Sequence, residues 1–341
     1  GYFWLPIAPN GYKSLGYVVT KKLEKPGPED VLCVLDDLTD SCKATDSIWG
    51  TQSPSTFNVW NVAPVLIGTE SKGIPVGSFY CSIGNSTSSV PIACLKNSMF
   101  SISSMPSLPQ LKTLISNHSP TIFFHPEELY FPGSISWLFT KGVLLHAKKD
   151  ERTMLVSSDG SNLPMGGTDD DEYWIDFPSG NNKDEIKKGN LSTAQVYIHA
   201  KPMLGATFTD IAVWIYYPFN GPATAKVELL DLKLGKIGEH ISDWEHVTLR
   251  INNFTGDLDK VFFSQHSGGV WVDAIDLEYN DNEAGNCVVY SAKSNHSAYP
   301  HPGLVLQGDR GVGLRNDTSR SNFFLNSRDN YQIVSANYLG I

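Results

Sequence analysis

The chain has 341 residues, 41% hydrophobic and 18% charged, with a formal net charge of −10. That size leaves room for two domains, and the acidic balance argues against a general nucleic-acid binder, which carries a basic face. No apolar run reaches the roughly 18 residues that a membrane-spanning helix needs. Gly 29 and Pro 20 are scattered rather than clustered, so short strands and turns are expected and the fold class is mainly β.

The charge is unevenly spread. Residues 1–117 hold 8 Lys, no Arg, 8 acidic residues and no His. The remainder carries the whole −10 and all 9 His. Four of the five cysteines, Cys33, Cys42, Cys81 and Cys94, lie in the first third. Local spacing suggests the pairs Cys33–Cys42 and Cys81–Cys94, although three pairings are open to four cysteines and buried free thiols are the alternative. Cys287 sits in an apolar run and reads as a core thiol.

In chain order, Trp4-Leu-Pro-Ile-Ala-Pro9 is echoed by Trp60-Asn-Val-Ala-Pro64. Each is followed by a Gly and a β-branched or aromatic run, Gly16-Tyr-Val-Val-Thr20 and Gly77-Ser-Phe-Tyr-Cys81. Two related strand units predict a repeat-built β-prism-like domain over 1–105. Leu108, Leu111, Leu114 and Ile115 fall at helical spacing, with Ser107 as cap, so 106–118 is expected to be a helical linker. Beyond it, strands are predicted at Ile122–Phe124, Val196–Ala200, Ile211–Tyr217, Trp244–Ile251, Val261–Ser264 and Val288–Ser291. Residues 157–190 read as a long polar loop carrying the acidic patch Asp169-Asp-Asp-Glu172. A β-sandwich is expected over 119–341.

The segment richest in chemistry is Gly238-Glu-His-Ile-Ser-Asp-Trp-Glu-His246. On a strand, Asp243, Glu245 and Val247 share one face, with the two carboxylates about 6–7 Å apart. His240 precedes them and is expected to fold over the same place. Two carboxylates and one imidazole suit Ca²⁺ or Mg²⁺ better than structural zinc. The plain alternative is a solvated acidic strand end. Trp244 and His246 point the other way, as packing or surface groups. His266 in Ser264-Gln-His-Ser-Gly-Gly269 and His296 in Asn295-His-Ser-Ala-Tyr-Pro-His-Pro-Gly303 lie in small-residue loops that can build a polar pocket. Asp210 and His125-Pro-Glu-Glu128 are further polar candidates, each alone read as structural. A Ser/His/Asp triad from Ser267, His240 or His266, and Asp243 can be drawn, but no G-x-S-x-G elbow supports it.

Several of these phrases, with Tyr197-Ile-His-Ala-Lys-Pro-Met203, Thr209-Asp-Ile211 and Tyr217-Pro-Phe-Asn-Gly-Pro222, resemble the plant and fungal vacuolar protein sorting-associated protein 62 family. The C-terminal part is also distantly similar to the necrosis- and ethylene-inducing protein toxins. That likeness implies an actinoporin- or cytolysin-like β-sandwich and a divalent cation that helps bind a sphingolipid sugar headgroup. Carried over by residue, the toxin heptad Gly-His-Arg-His-Asp-Trp-Glu places its first His on His240. Its Asp, Trp and Glu fall on Asp243, Trp244 and Glu245. Its second His falls on Ser242 and its Gly on Glu239, which depart from the pattern. A further acidic ligand of that family falls on Asn220, whose carbonyl is a weaker ligand.

The expected function is therefore a membrane lipid- or glycan-binding protein with a defence, toxin or trafficking role. The expected metal ligands are His240, Asp243, Glu245 and Asn220, and Asp210, His266 and His296 are the expected ligand contacts. The alternative is a metal-assisted hydrolase or lyase with His240 or His266 as base. An adaptor without a ligand pocket is the third possibility. The start at Gly1 suggests that an upstream segment was removed or not included. Six sequons (Asn85, Asn117, Asn190, Asn253, Asn295, Asn316) lean towards a secretory, vacuolar or extracellular location over a cytoplasmic one.

Overall fold

The computed structural model describes residues 1–50, 57–66, 71–84, 90–99, 105–149, 151–165, 172–180, 182–228, 230–280 and 285–339. The chain divides into two compact units. The first is Gly1–Pro106 with Lys201–Asp210 and Ile251–Asp257; the second is Ser107–Ala200, Ile211–Arg250 and Leu258–Ile341. Strands dominate both, as the Gly/Pro content predicts.

The first unit centres on a five-stranded antiparallel sheet in the order Gly73–Ile74, Ala93–Lys96, Thr39–Gly50, Phe57–Pro64, Phe79–Ile83. The sequence echo is real at the level of register. Trp4 pairs with Val18 and donates its indole N–H to Thr20, two residues further on. Trp60 pairs with Tyr80 and donates to Ser82, again two residues on. Each β-branched or hydroxyl-bearing run after the Gly thus serves the same purpose: it satisfies the buried end of a tryptophan. Phe3, Phe57 and Phe79 pack between the two pairs.

The cysteine expectation was half right in kind and wrong in pairing. Cys42 is bonded to Cys94, with Cα atoms 5.5 Å apart, whereas Cys33 and Cys81 are free. Sequence proximity misled: Cys42 and Cys94 lie on hydrogen-bonded neighbouring strands, where Asp40 faces Cys94 and Ser41 faces Ala93. The bridge closes a loop of 52 residues, a constraint worth about 4 kcal/mol on the unfolded chain.

In the second unit all six predicted strands are present, within Thr121–Phe124, Val196–Met203, Phe208–Asn220, His240–Asn252, Leu258–Gln265 and Val288–Ser291. Three of them reach into the segments grouped with the first unit. A six-stranded sheet runs Gly268–Asp273, Leu258–Gln265, His240–Asn252, Phe208–Asn220, Val196–Met203, Tyr331–Ile333. A four-stranded sheet runs Ala298–Tyr299, Val288–Ser291, Thr121–Phe124, Phe324–Asn326. Ile211–Asn220 is buried on nearly every residue except Trp214, the pattern of a strand covered on both faces. On one side Tyr216 and Tyr197 pack with Leu138, Val143, Leu145 and Ile186. On the other, Tyr217 reaches the four-stranded sheet through Ser291.

The helix Leu108–His118 carries the expected Ser107 cap, completed by Gln110 as a capping box. It belongs to the body of the second unit, where Leu111 and Ile115 are fully buried. The excursion 157–190 is not the plain loop expected. It contains the strand Tyr173–Asp176 and the helix Lys183–Lys187, anchored by buried Phe177 and Ile186. Asp169–Asp171 of its acidic patch lie outside the described residues, and Glu172 is exposed.

Three sequons are used by the fold itself. Asn253 spends its amide nitrogen on the Ala206 carbonyl, Asn295 on Asn316, and Asn316 on Val305. Asn117 is exposed, and Asn85 lies outside the described residues. The sequon excess is thereby partly structural.

Burial pushes the Cys81 thiol up to about 11 and Cys287 up to about 12, while Cys33 is partly exposed. Thiol labelling of the native protein at pH 8 is therefore expected to modify Cys33 first, with Cys81 and Cys287 reacting only on unfolding. Mass spectrometry of digested, unreduced protein should recover Cys42 linked to Cys94.

Candidate functional site

The strand His240–Asn252 alternates as predicted from Asp243 onward. Asp243, Val247, Leu249 and Ile251 are buried, and Glu245 is mostly so. Just before them the backbone turns left-handed at Ser242, with φ 62°. A non-glycine residue there costs free energy, and the Ser242 hydroxyl is held 2.8 Å from the Tyr216 hydroxyl. The kink also separates His240 from its expected company. His240 is exposed, its Nδ1 3.2 Å from the Ser242 carbonyl of its own strand.

The imidazole that does meet Asp243 is His296. Its Nδ1 lies 2.8 Å from Asp243 Oδ2. The ring is stacked on Tyr217, with centroids 3.8 Å apart and planes 4° from parallel. Its Nε2 is 4.0 Å from Glu128 Oε1 and has no hydrogen-bond partner. The His296 side chain is 0% exposed and that of Glu128 1%, so this unpaired nitrogen is sealed in.

Glu128 is locked by backbone donors. Its Oε1 accepts from Leu129 and Tyr130, and its Oε2 from Ser294. The last contact pins a loop in which Ser294 and His296 both have positive φ. Gly221 closes on the same loop, its N–H donating to the Ser294 carbonyl. A Cβ there would sit 2.4 Å from the Tyr130 ring and 3.0 Å from the Ser294 Cβ, so only glycine fits. Glu245 completes the group: Ser264 donates to its Oε2 at 2.6 Å.

The site therefore gathers three carboxylates, Asp243, Glu245 and Glu128, around one imidazole. Burial raises Glu245, eased by the Ser264 hydrogen bond and reinforced by Asp243, to about 7. For His296, burial opposes the charged ring. The Asp243 hydrogen bond and the charges of Glu128, Asp243 and Glu245 outweigh it, and the pKa lies above the ordinary imidazole value. Among the described residues no group of three or more His, Cys, Asp and Glu is arranged to hold one ion. Asn220 gives its amide nitrogen to the carbonyls of Gly238 and Gly221, which leaves its oxygen uncommitted.

Of the expected contacts, His296 is central. His266 is elsewhere engaged, with Nε2 3.0 Å from Asn316 Oδ1, and Asp210 belongs to the first unit. The Ser/His/Asp triad is not assembled: Asp243 is taken by His296 and His266 by Asn316. Glu128, read as structural from His125-Pro-Glu-Glu128, is the residue that sequence reasoning undervalued. Its only signal was that phrase, and its partner loop lies 166 residues away.

A family model for vacuolar protein sorting-associated protein 62 matches residues 1–341. The chain belongs to that family. No curated protein matches it. Among solved structures it is similar to necrosis and ethylene inducing protein 2 from the causal agent of cocoa's witches' broom disease, at 18% identity and TM-score 0.31, covering 58% of this chain and 69% of that one. It is also similar to a toxin fold for microbial attack and plant defense, at 15% identity and TM-score 0.34 (68% and 77% covered), and to NLPPya in complex with glucosamine, at 13% and 0.32 (71% and 81% covered). At these scores the overlap is too loose to carry a ligand or an activity across.

Glu245 and His296 both have raised values in the fold, so both favour the folded state at low pH. Their contribution is complete below the unfolded values and is lost as pH rises through the folded ones. In EDTA, stability measured by urea unfolding is expected to fall between pH 5 and 8. Glu245→Gln should remove a penalty of roughly 3 kcal/mol at pH 8 and flatten the profile.

Proposed function

We propose that this protein is a cation-assisted binder of the hydroxyl-rich headgroup of a membrane glycolipid. We read the six- and four-stranded sheets as a cytolysin-like β-sandwich, with the site at its Asp243 end. The observation that carries this reading is the pair of inward carboxylates on one strand, Asp243 and Glu245, each with an oxygen that no protein donor claims. The Asn220 oxygen is a third hard donor. Such a set suits Ca²⁺ or Mg²⁺. It is also incomplete, since Ca²⁺ takes about 6–8 oxygens. The open positions are what sugar hydroxyls or water would fill, which distinguishes a ligand-binding ion from a structural one.

The fit has a further electrostatic reason. Glu245 is held near 7 by burial beside Asp243, and a divalent charge would relieve both. His296 supports the site by fixing Asp243 and does not itself face the ion. His240 is left out of the ligand set, because its ring is exposed and turned to Ser242. The family's name ties it to vacuolar sorting, a process at membranes, which agrees with a membrane-surface partner. Of the two bases named for the hydrolase or lyase alternative, His240 is exposed and His266 Nε2 lies 3.0 Å from Asn316 Oδ1.

Isothermal titration with Ca²⁺ and Mg²⁺ is expected to show one site, weakened at least tenfold by Asp243→Asn or Glu245→Gln. Co-sedimentation with vesicles containing a glycosphingolipid should exceed that with phosphatidylcholine alone and disappear in EDTA. Vesicle binding that survives both EDTA and Asp243→Asn would contradict the cation's part.

A further inference from the structure

The strand that turns Asp243 and Glu245 inward turns Trp244 and His246 outward, onto the other face of the six-stranded sheet. There they join an unbroken file of rings. Tyr216 lies 4.9 Å from Trp244, Trp244 6.4 Å from Trp214, and Trp214 4.4 Å from His246. His246 is 5.8 Å from Phe262, and Phe262 5.3 Å from Trp271. Arg250 covers Trp271 at 4.3 Å. The file crosses four neighbouring strands. Tyr216 is sealed under the layer of Leu138 and Val143, but Trp244 is 43% and Trp271 38% exposed.

The rings pack tilted or edge to face, with neighbouring planes 26° to 82° apart. Phe262 faces Trp271 in register, and Gly269 lies beside it on the edge strand. A Cβ at Gly269 would stand 2.2 Å from Phe262 Cζ, so the glycine lets the phenyl ring lie across its neighbour.

The indole N–H groups say what belongs on this face. In the first unit Trp4 and Trp60 each donate to a hydroxyl. Among the described residues, the N–H groups of Trp214, Trp244 and Trp271 meet no protein acceptor; the Trp214 nitrogen is not sealed from solvent, and Trp244 and Trp271 are exposed residues. A lipid tail or a dry apolar protein surface would strand those donors without a partner, which costs each its full desolvation penalty. An occupant that offers flat C–H faces to the rings and oxygen acceptors to the N–H groups would not. Charge narrows the choice further: Lys260 at the rim is paired with Asp273 at 3.1 Å, and the Arg250 guanidinium is stacked. No carboxylate-bearing or phosphorylated ligand is called for.

We propose that this outer face is a second binding site, for a neutral, β-linked oligosaccharide chain lying across the strands. Equatorial hydroxyls give such a chain flat apolar faces with acceptors at the edges. Trp244 and Trp271 lie on strands two spacings apart, about 10 Å measured across the sheet, so a chain rather than one sugar is needed to cover both. The site is independent of any cation, because Trp244 and Asp243 point to opposite faces of one strand.

The test is tryptophan fluorescence and calorimetric titration of the full chain with cellohexaose, laminarihexaose and chitohexaose, all in EDTA. At least one is expected to bind. Trp244→Ala and Trp271→Ala should each weaken it tenfold or more, and Trp244→Phe, which keeps a ring but loses the N–H, by less. Trp49→Ala in the first unit should leave it unchanged, and circular dichroism should show all variants folded. Absence of binding to all three sugars would overturn the proposal, as would equal binding by Trp244→Ala and Trp271→Ala. It would equally fall if Trp244→Ala abolished self-association in analytical ultracentrifugation while sugar binding persisted. Because EDTA is present throughout, failure here leaves the cation reading untouched, and the reverse holds too.

Discussion

The hydrogen bond between Asp243 and His296 is the contact on which the second unit's chemistry depends. It joins a strand of the six-stranded sheet to the loop between two strands of the four-stranded one, 53 residues apart in sequence. Neither group could be buried alone. An unpaired buried carboxylate or imidazolium costs several kcal/mol, and removing one partner of such a pair typically costs about 3–5 kcal/mol. Tyr217 presses on the imidazole face to face, so the ring has one orientation. That orientation aims Nδ1 at Asp243 and leaves Nε2 facing Glu128.

From this contact the local strain follows. Ser242, Ser294 and His296 all have positive φ without being glycine. Two of these turns are held within the cluster, the Ser294 N–H by Glu128 and the His296 ring by Asp243, and the third by the Ser242 hydroxyl's contact with Tyr216 on the opposite side of the sheet. Evolution could have placed glycine at these points. Side chains there instead tie two sheets and a loop into one acidic, pre-organised end, and the strain is the consequence.

The alternation Asp243, Glu245, Val247 was legible because a strand repeats every two residues and one face is buried. The six strands of the second unit were legible for the same reason. The Trp4 and Trp60 echo was legible because each Trp needs a hydroxyl acceptor at a fixed register. Other features were not. The Cys42–Cys94 bridge depends on which strands neighbour each other, and cysteine spacing does not encode that. His240 was drawn to the site by its position before the strand, but one left-handed residue at Ser242 redirected it. Glu128 joined the site through backbone donors from Leu129, Tyr130 and Ser294, and backbone donors leave no mark in a sequence. The −10 net charge is now partly located: three of the acidic groups are packed around one imidazole and are not solvated surface.

One strand thus presents two chemistries, carboxylates to the interior and tryptophan to the outside. The inner face is the central claim. Anomalous diffraction from crystals soaked in Mn²⁺ tests it most directly. The account predicts a peak bonded to Asp243 and Glu245, with the Asp243–His296 bond intact and at least two ligand positions held by water. Crystals with full Mn²⁺ occupancy at other sites and no peak between those two carboxylates would contradict it.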